Sequence, residues 1–275
     1  MDRLNRAVRL LYRHGILTQL GKIALLLCTA VAVLTLSTWI GNPYQDAVEP
    51  PEAAASSWHP PPRPTGPPEP SLPSGFPSME FPPPLVKVGN GQLQPVPTRY
   101  GLTYTVPSDG WSPSNDAIMA WNDEIDHTTI ASYEAVSRYG IGYCRQTEGS
   151  VLASVGVDGR NGIDIDTAAR DEVDKASRIF GDRKTNHMPA VQLRGPITFE
   201  ISGRPASRYT AVVTDIPKKS SCDPVTAEFD IVATAAYASA EVAIFMIQHY
   251  TNSAESLSRD EVEKIIQSIG KTNTK

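Results

Sequence analysis

Hydrophobic positions fall along this chain in several distinct rhythms. The first is unbroken. From Ile23 to Ile40 eighteen residues pass without a charge, and a helix of that length rises ~27 Å, close to the ~30 Å hydrocarbon core of a bilayer. Residues 23–40 are therefore expected to be a transmembrane helix, with Trp39 at an interfacial position. A cleaved signal peptide would need a shorter run followed by a small-residue site, and Ala30-Val31-Ala32 lies inside the run instead. A lipidated Cys28 would follow a small residue, but Leu27 precedes it.

Further on, alternation with period two predicts strands. Leu102 to Val106 alternates and ends at Pro107 and the Asp109-Gly110 turn, and Ile118 to Trp121 reads as a second strand. Residues 122–148 show no sustained period. Val151 to Val157 alternates again and leads into a turn-rich loop, Asp158 to Asp166. Ile197 to Ile201 and Ala206 to Val213 flank Ser202-Gly203-Arg204-Pro205 as a hairpin, and Glu228 to Ala235 alternates. Val242 to Ile247 is apolar on both faces, as expected of a strand covered on both sides.

Spacings of three and four predict two helices. One covers Thr167 to Phe180 through Ala169, Val173, Ala176 and Phe180, with Asp166 as N-cap and Gly181 as stop. The other opens on a capping box, Ser258 with Glu261 three residues on, and carries Val262, Ile265, Ile266 and Ile269 up to Gly270. Strands, helix, four strands and helix in that order give an α+β domain on a largely antiparallel sheet over residues 99–275.

Composition separates that domain from the anchor. Between Pro43 and Thr98 lie 17 of the chain's 24 prolines. Proline lacks an amide donor and fixes φ, so residues 41–98 are expected to be a disordered, extended linker reaching up to ~170 Å, with Leu85 to Val88 as a short strand at its end. A proline-rich run can also be a ligand for aromatic grooves, although a spacer is the simpler reading.

Residues 1–22 carry five basic side chains, Arg3, Arg6, Arg9, Arg13 and Lys22, against Asp2 alone. By the positive-inside rule that segment stays in the cytoplasm and the C-terminal domain is extracytoplasmic. Its arginines also face opposite Leu4, Ala7, Val8 and Leu11 on a helix, which suits the anionic inner leaflet. Subtracting those residues from 25 basic and 30 acidic leaves 20 against 29. An exported part near −9 repels phosphate backbones, so no nucleic acid is expected as partner.

With Cys28 in the membrane, Cys144 and Cys222 remain as an even pair in an oxidising compartment, and a disulfide is the expected reading. Two free thiols or a metal site are the alternatives; no His–Cys cluster with ligand spacing surrounds either one. An EF-hand register on Gly162 places Val157 at position 1 and fails. A looser oxygen site on Asp158, Asn161, Asp164 and Asp166 stays open beside the plainer reading of a capped strand–helix loop. His127, His187 and His249 accompany the domain without a G-x-S-x-G, H-E-x-x-H or P-loop pattern. His249 reads as an edge residue after an apolar strand. Neither catalytic residues nor a metal or cofactor is expected. Trp111, Trp121, Tyr139 and Tyr143 are candidate contact aromatics, with core packing as their other use.

The stretches YGLTYTVPSDGW, YCRQTEGSVLASVGV, DTAARDEVDKASRIFGD, SSCDP and DEVEKIIQSIG, behind a basic head, one span and a proline-rich linker, resemble uncharacterised membrane-anchored proteins of actinobacteria that end in a domain of unknown function. That group is similar to the PsbP-like and LpqN-like α-β-α sandwich. The resemblance implies a sheet with helices on both faces and adds to the case for pairing Cys144 with Cys222; it defines no catalytic residues. The chain is thus expected to be a membrane-tethered binding or scaffold module of the cell envelope, its protein, lipid or glycan partner unspecified. The alternatives are an envelope hydrolase built on His187 or His127 with carboxylates, and a structural cap on the tether.

Overall fold

The computed structural model describes residues 78–273. The expected cytoplasmic segment, membrane helix and all but the last part of the linker lie outside these residues. Among the described residues no helix is long and apolar enough to cross a membrane.

The sheet is built around its most apolar strand. In chain order the strands are β1 (Leu93–Pro97), β2 (Leu102–Pro107), β3 (Trp111–Ser112), β4 (Ile118–Asn122), β5 (Thr129–Tyr139), β6 (Ala153–Arg160), β7 (Ala190–Ile201), β8 (Arg204–Thr214), β9 (Thr226–Ala235), β10 (Val242–Tyr250) and β11 (Gly270–Lys271). The helices are α1 (Ile165–Val173), α2 (Ala176–Ile179) and α3 (Arg259–Gln267). The large sheet runs β3-β5-β6-β10-β9-β8-β7, with β4 also on β5, and the small one runs β1-β2-β11. Every ladder is antiparallel.

Central β10 is covered on both sides, as its pattern predicts. Ala243, Phe245 and Ile247 point into a core shared with the small sheet and α3, where Leu102, Tyr104, Val262, Ile265 and Ile266 meet them. Val242, Ile244 and Met246 point the other way, towards Ala169, Val173 and Phe180 of the α1–α2 layer. Helices therefore lie on both faces of an antiparallel sheet. Each of the buried α3 aliphatics stabilises that docking by about 1.5–3 kcal/mol.

Three expectations are corrected. The linker end is folded: β1 pairs with β2 from Leu93 to Pro97, and its prolines sit on an edge strand, where a missing donor leaves no partner unsatisfied. Leu85 to Val88 forms no strand; Gln94 holds it instead, donating to Val86 O at 2.9 Å and accepting from Val88 N at 3.1 Å. The first helix is capped by Asp164, whose carboxylate accepts from Thr167 N at 2.9 Å, and it breaks into α1 and α2 at Asp174-Lys175. Asp166, read as the cap, sits in the first turn and takes Ser207 Oγ at 2.7 Å and Tyr209 OH at 3.2 Å.

The stretch 122–148, which shows no sustained period in the sequence, contains β5. Between Glu134 and Ser137 two residues of β5, Ala135 and Val136, oppose one of β6, Gly156, and Ala135 takes φ 49°. This bulge turns the strand over. Ala131 and Tyr133 face the α1 side, while Ala135, two residues further, faces the small sheet.

Candidate functional site

A cavity of about 310 Å³ opens on the α1–α2 side of the large sheet. Its walls come from four places: Met119 and Trp121 of β4, the chain after α2, a loop carrying Tyr143 to Val151, and a loop from Ile216 to Pro224. The two loops are tied by the Cys144–Cys222 disulfide, with 5.8 Å between their Cα atoms and 78 residues between them. A closure of that length stabilises the fold by about 4–5 kcal/mol in the chain-entropy model.

Asp223 organises the second loop. It accepts from Lys219 N at 2.8 Å, Ser220 N at 2.6 Å, Ser220 Oγ at 2.7 Å and Thr147 Oγ1 at 3.2 Å. Burial would raise its pKa, but these donors outweigh burial and hold the carboxyl below its ordinary value. A carboxylate so fully engaged is a structural tie across the bridged loops.

The floor is different. Ser154 of β6 and Gln248 of β10 are cross-strand partners, so their side chains stand next to each other on one face. Both line the cavity and both are buried, at 0% and 4% exposure. Ser154 Oγ and Gln248 Nε2 have no hydrogen-bond partner among the described residues. Leaving such groups unpaired costs about 1–3 kcal/mol each.

Above the floor the lining is aromatic. Phe180 meets Tyr250 edge-on at 6.4 Å between ring centroids and Phe229 at 6.1 Å; Trp121 meets Phe229 at 6.3 Å and Tyr133 at 6.0 Å. Burial pushes the Tyr250 phenol up to about 12, with Tyr143 and Asp223 adding to the effect, so it is a neutral donor at physiological pH. At the rim Lys219 pairs with Glu124.

Of the four aromatics singled out in the sequence, Trp121 and Tyr143 line this cavity. Trp111 and Tyr139 pack on each other at 5.4 Å across the β3–β5 ladder, with Trp111 in the core under the small sheet. The loose oxygen site does not assemble. Asp158 and Arg160 belong to β6 and pair with each other, Asn161 Oδ1 accepts from Glu241 N at 2.9 Å, and Asp164 caps α1. His187 Nε2 lies 3.1 Å from Asp215 Oδ2 on an exposed loop, and His127 occupies a turn at φ 58°. His249 is corrected from an edge position to the central strand β10, at 2% exposure. It shares its face with Glu228 and Asp230, the one group of metal-ligating make-up among the described residues.

Sequence reasoning missed Ser154 and Gln248. The signal was present in VAIFMIQHY, where Val242, Ile244 and Met246 share a face whose next residue is Gln248.

The family DUF8017, a domain of unknown function, matches residues 86–273. No curated protein matches the chain. Among solved structures, the solution structure of cyanobacterial PsbP (CyanoP) from Synechocystis sp. PCC 6803 is similar, with 14% identity and a TM-score of 0.40 over 69% of this chain and 98% of that one.

Proposed function

This chain belongs to the DUF8017 family, a domain of unknown function, and we propose that it is a non-catalytic binding module whose ligand enters the cavity between Trp121 and the disulfide-tied loops. The ligand class follows from the walls. Gln248 Nε2 donates and Ser154 Oγ donates or accepts, so the inner end of the ligand carries an acceptor such as a carbonyl or carboxyl oxygen. Trp121, Phe180 and Tyr250 take a flat or branched apolar body. The one observation that carries this reading is the pair of unpaired polar atoms on the floor of an aromatic cavity. A filled structural core would have apolar side chains at both positions.

We further propose that the module works outside the cytoplasmic membrane, held by residues 23–40 and spaced from the bilayer by the proline-rich segment. The basic residues 1–22, the apolar run and the proline content support that placement.

Retention of small molecules tests the binding reading. Full-length protein is purified from its membrane in mild detergent, and its extract is analysed by mass spectrometry. One compound class should accompany the wild type and be lost from Trp121→Ala and from Gln248→Leu, with the circular dichroism of each variant unchanged. If wild type and both folded variants yield the same extract, the cavity is not a binding site.

A further inference from the structure

On the opposite face of β10 the strands assemble a second constellation. Alternation places Glu228 and Asp230 on the same face of β9, and the antiparallel register sets His249 of β10 directly across from Glu228. Each of the three offers a ligand atom, and these atoms lie within 4.8 Å of one another. We propose that Glu228, Asp230 and His249 form a zinc-type divalent cation site, closed in this conformation by the guanidinium of Arg259.

Two unpaired atoms point to a cation here. Asp230 is fully buried, yet its Oδ2 has no hydrogen bond among the described residues, and Arg259 Nη1 stands 3.6 Å from it. The imidazole of His249 is 2% exposed; its Nδ1 has no partner among the described residues, and its Nε2 stands 3.8 Å from Glu228 Oε2, beyond hydrogen-bond reach.

The geometry and the surroundings fit such an ion. Zinc bonds of ~2.0–2.2 Å to nitrogen and oxygen set tetrahedral ligands about 3.4 Å apart, so the His249–Glu228 spacing needs only a small contraction. One imidazole with two carboxylates is a donor set that suits zinc and its first-row neighbours, with water as fourth ligand. The other oxygen of Asp230 is already fixed from behind, by Arg208 Nε at 3.0 Å, Arg208 Nη2 at 2.6 Å and the hydroxyl of Thr210. Such outer contacts orient a ligand carboxylate.

Arg259 supplies the gate. As the first residue of α3 it pairs with Glu228 and, through Nε at 3.3 Å, with Glu263, while 41% of its side chain is exposed. A partly solvated arginine can swing outward as the ion enters, exchanging one cation for another over Glu228. This inference does not depend on the cavity across the sheet.

Calorimetric titration of the chelator-treated full-length protein with Zn²⁺, and its visible spectrum with Co²⁺, test the assignment. The wild type should take one ion per chain and show the visible bands of a four-coordinate Co²⁺ site. Glu228→Gln should weaken zinc binding by about tenfold or more, and Arg259→Ala should tighten it by removing the competing guanidinium. Thermal melting of each variant establishes that it is folded. Absence of stoichiometric binding in both wild type and Arg259→Ala overturns the proposal, as does unchanged zinc affinity in folded Glu228→Gln.

Discussion

The phenol of Tyr104 is wholly buried between the two sheets, where it meets Phe245 edge-on at 6.3 Å. Its hydroxyl donates to Ala135 O at 2.6 Å and lies 2.7 Å from Ser137 Oγ. Tyr104→Phe keeps the ring and strands both partners, so it should cost about 1–2 kcal/mol in chemical denaturation at pH 8. Burial also raises the pKa of this phenol well above its ordinary value. The neutral form is the one the fold requires, so its contribution is complete below pH ~10, the unfolded value, and is lost as pH rises beyond it. The wild type should therefore lose more stability than Tyr104→Phe between pH 9 and pH 11; equal losses would remove this tyrosine from the alkaline transition. The ring was legible, because Tyr104 falls on the inward positions of LTYTVP. The hydroxyl's partner was not, since it depends on where a bulge in another strand leaves the carbonyl of Ala135. Asp164 and Asp166 repeat the lesson. Both are acidic and both stand at the start of the helical segment, and only the fold, by bringing Ser207 and Tyr209 under Asp166, decides which one caps it.

Elements were readable where their signals are local. The α3 segment carries its cap, its acidic first turn and its apolar stripe within a dozen residues, and Ser258 and Glu261 form the reciprocal capping box that the spacing predicts. Ser258→Ala should lower stability by about 1 kcal/mol, and thermal melts with Glu261 intact will show it. A smaller loss when Glu261→Ala is already present would reveal the coupling between the two caps, whereas additive losses would argue against a shared box. The β6 strand illustrates the reverse case. Asp158, Gly159 and Arg160 look like a turn, yet they pair with Ile244, Ala243 and Val242 of β10. Gly159 serves close approach: a Cβ there would stand 2.4 Å from Tyr100 Cε1 and 2.8 Å from Ala240 Cβ. Glycine in a sequence does not say whether the chain turns or another side chain needs the room. The same ambiguity hid the cavity floor, because Ser154 and Gln248 become neighbours only through the β6–β10 register.

At the scale of the whole chain, the basic head, the charge-free run and the cystine belong to one physical expectation. On the proposed tethered reading, five cations before an apolar run would hold the first 22 residues on the cytoplasmic side. On that reading the domain would fold where thiols oxidise, in keeping with the bond that joins Cys144 to Cys222. If it remained in the cytoplasm, reducing conditions would oppose a bridge that contributes about 4–5 kcal/mol, and the loops walling the cavity would lose their tie. Impermeant biotinylation of intact cells stripped of their wall should label a lysine-bearing tag placed after Lys275 and spare one placed before Met1 until the membrane is opened. In the same cells, acid-trapped thiols at Cys144 and Cys222 should resist alkylation until a reductant is added. Labelling confined to the N-terminal tag, or free thiols at both positions, would put the domain in the wrong compartment for its own disulfide and end the tethered reading, while leaving the cavity and the cation site to stand on their geometry.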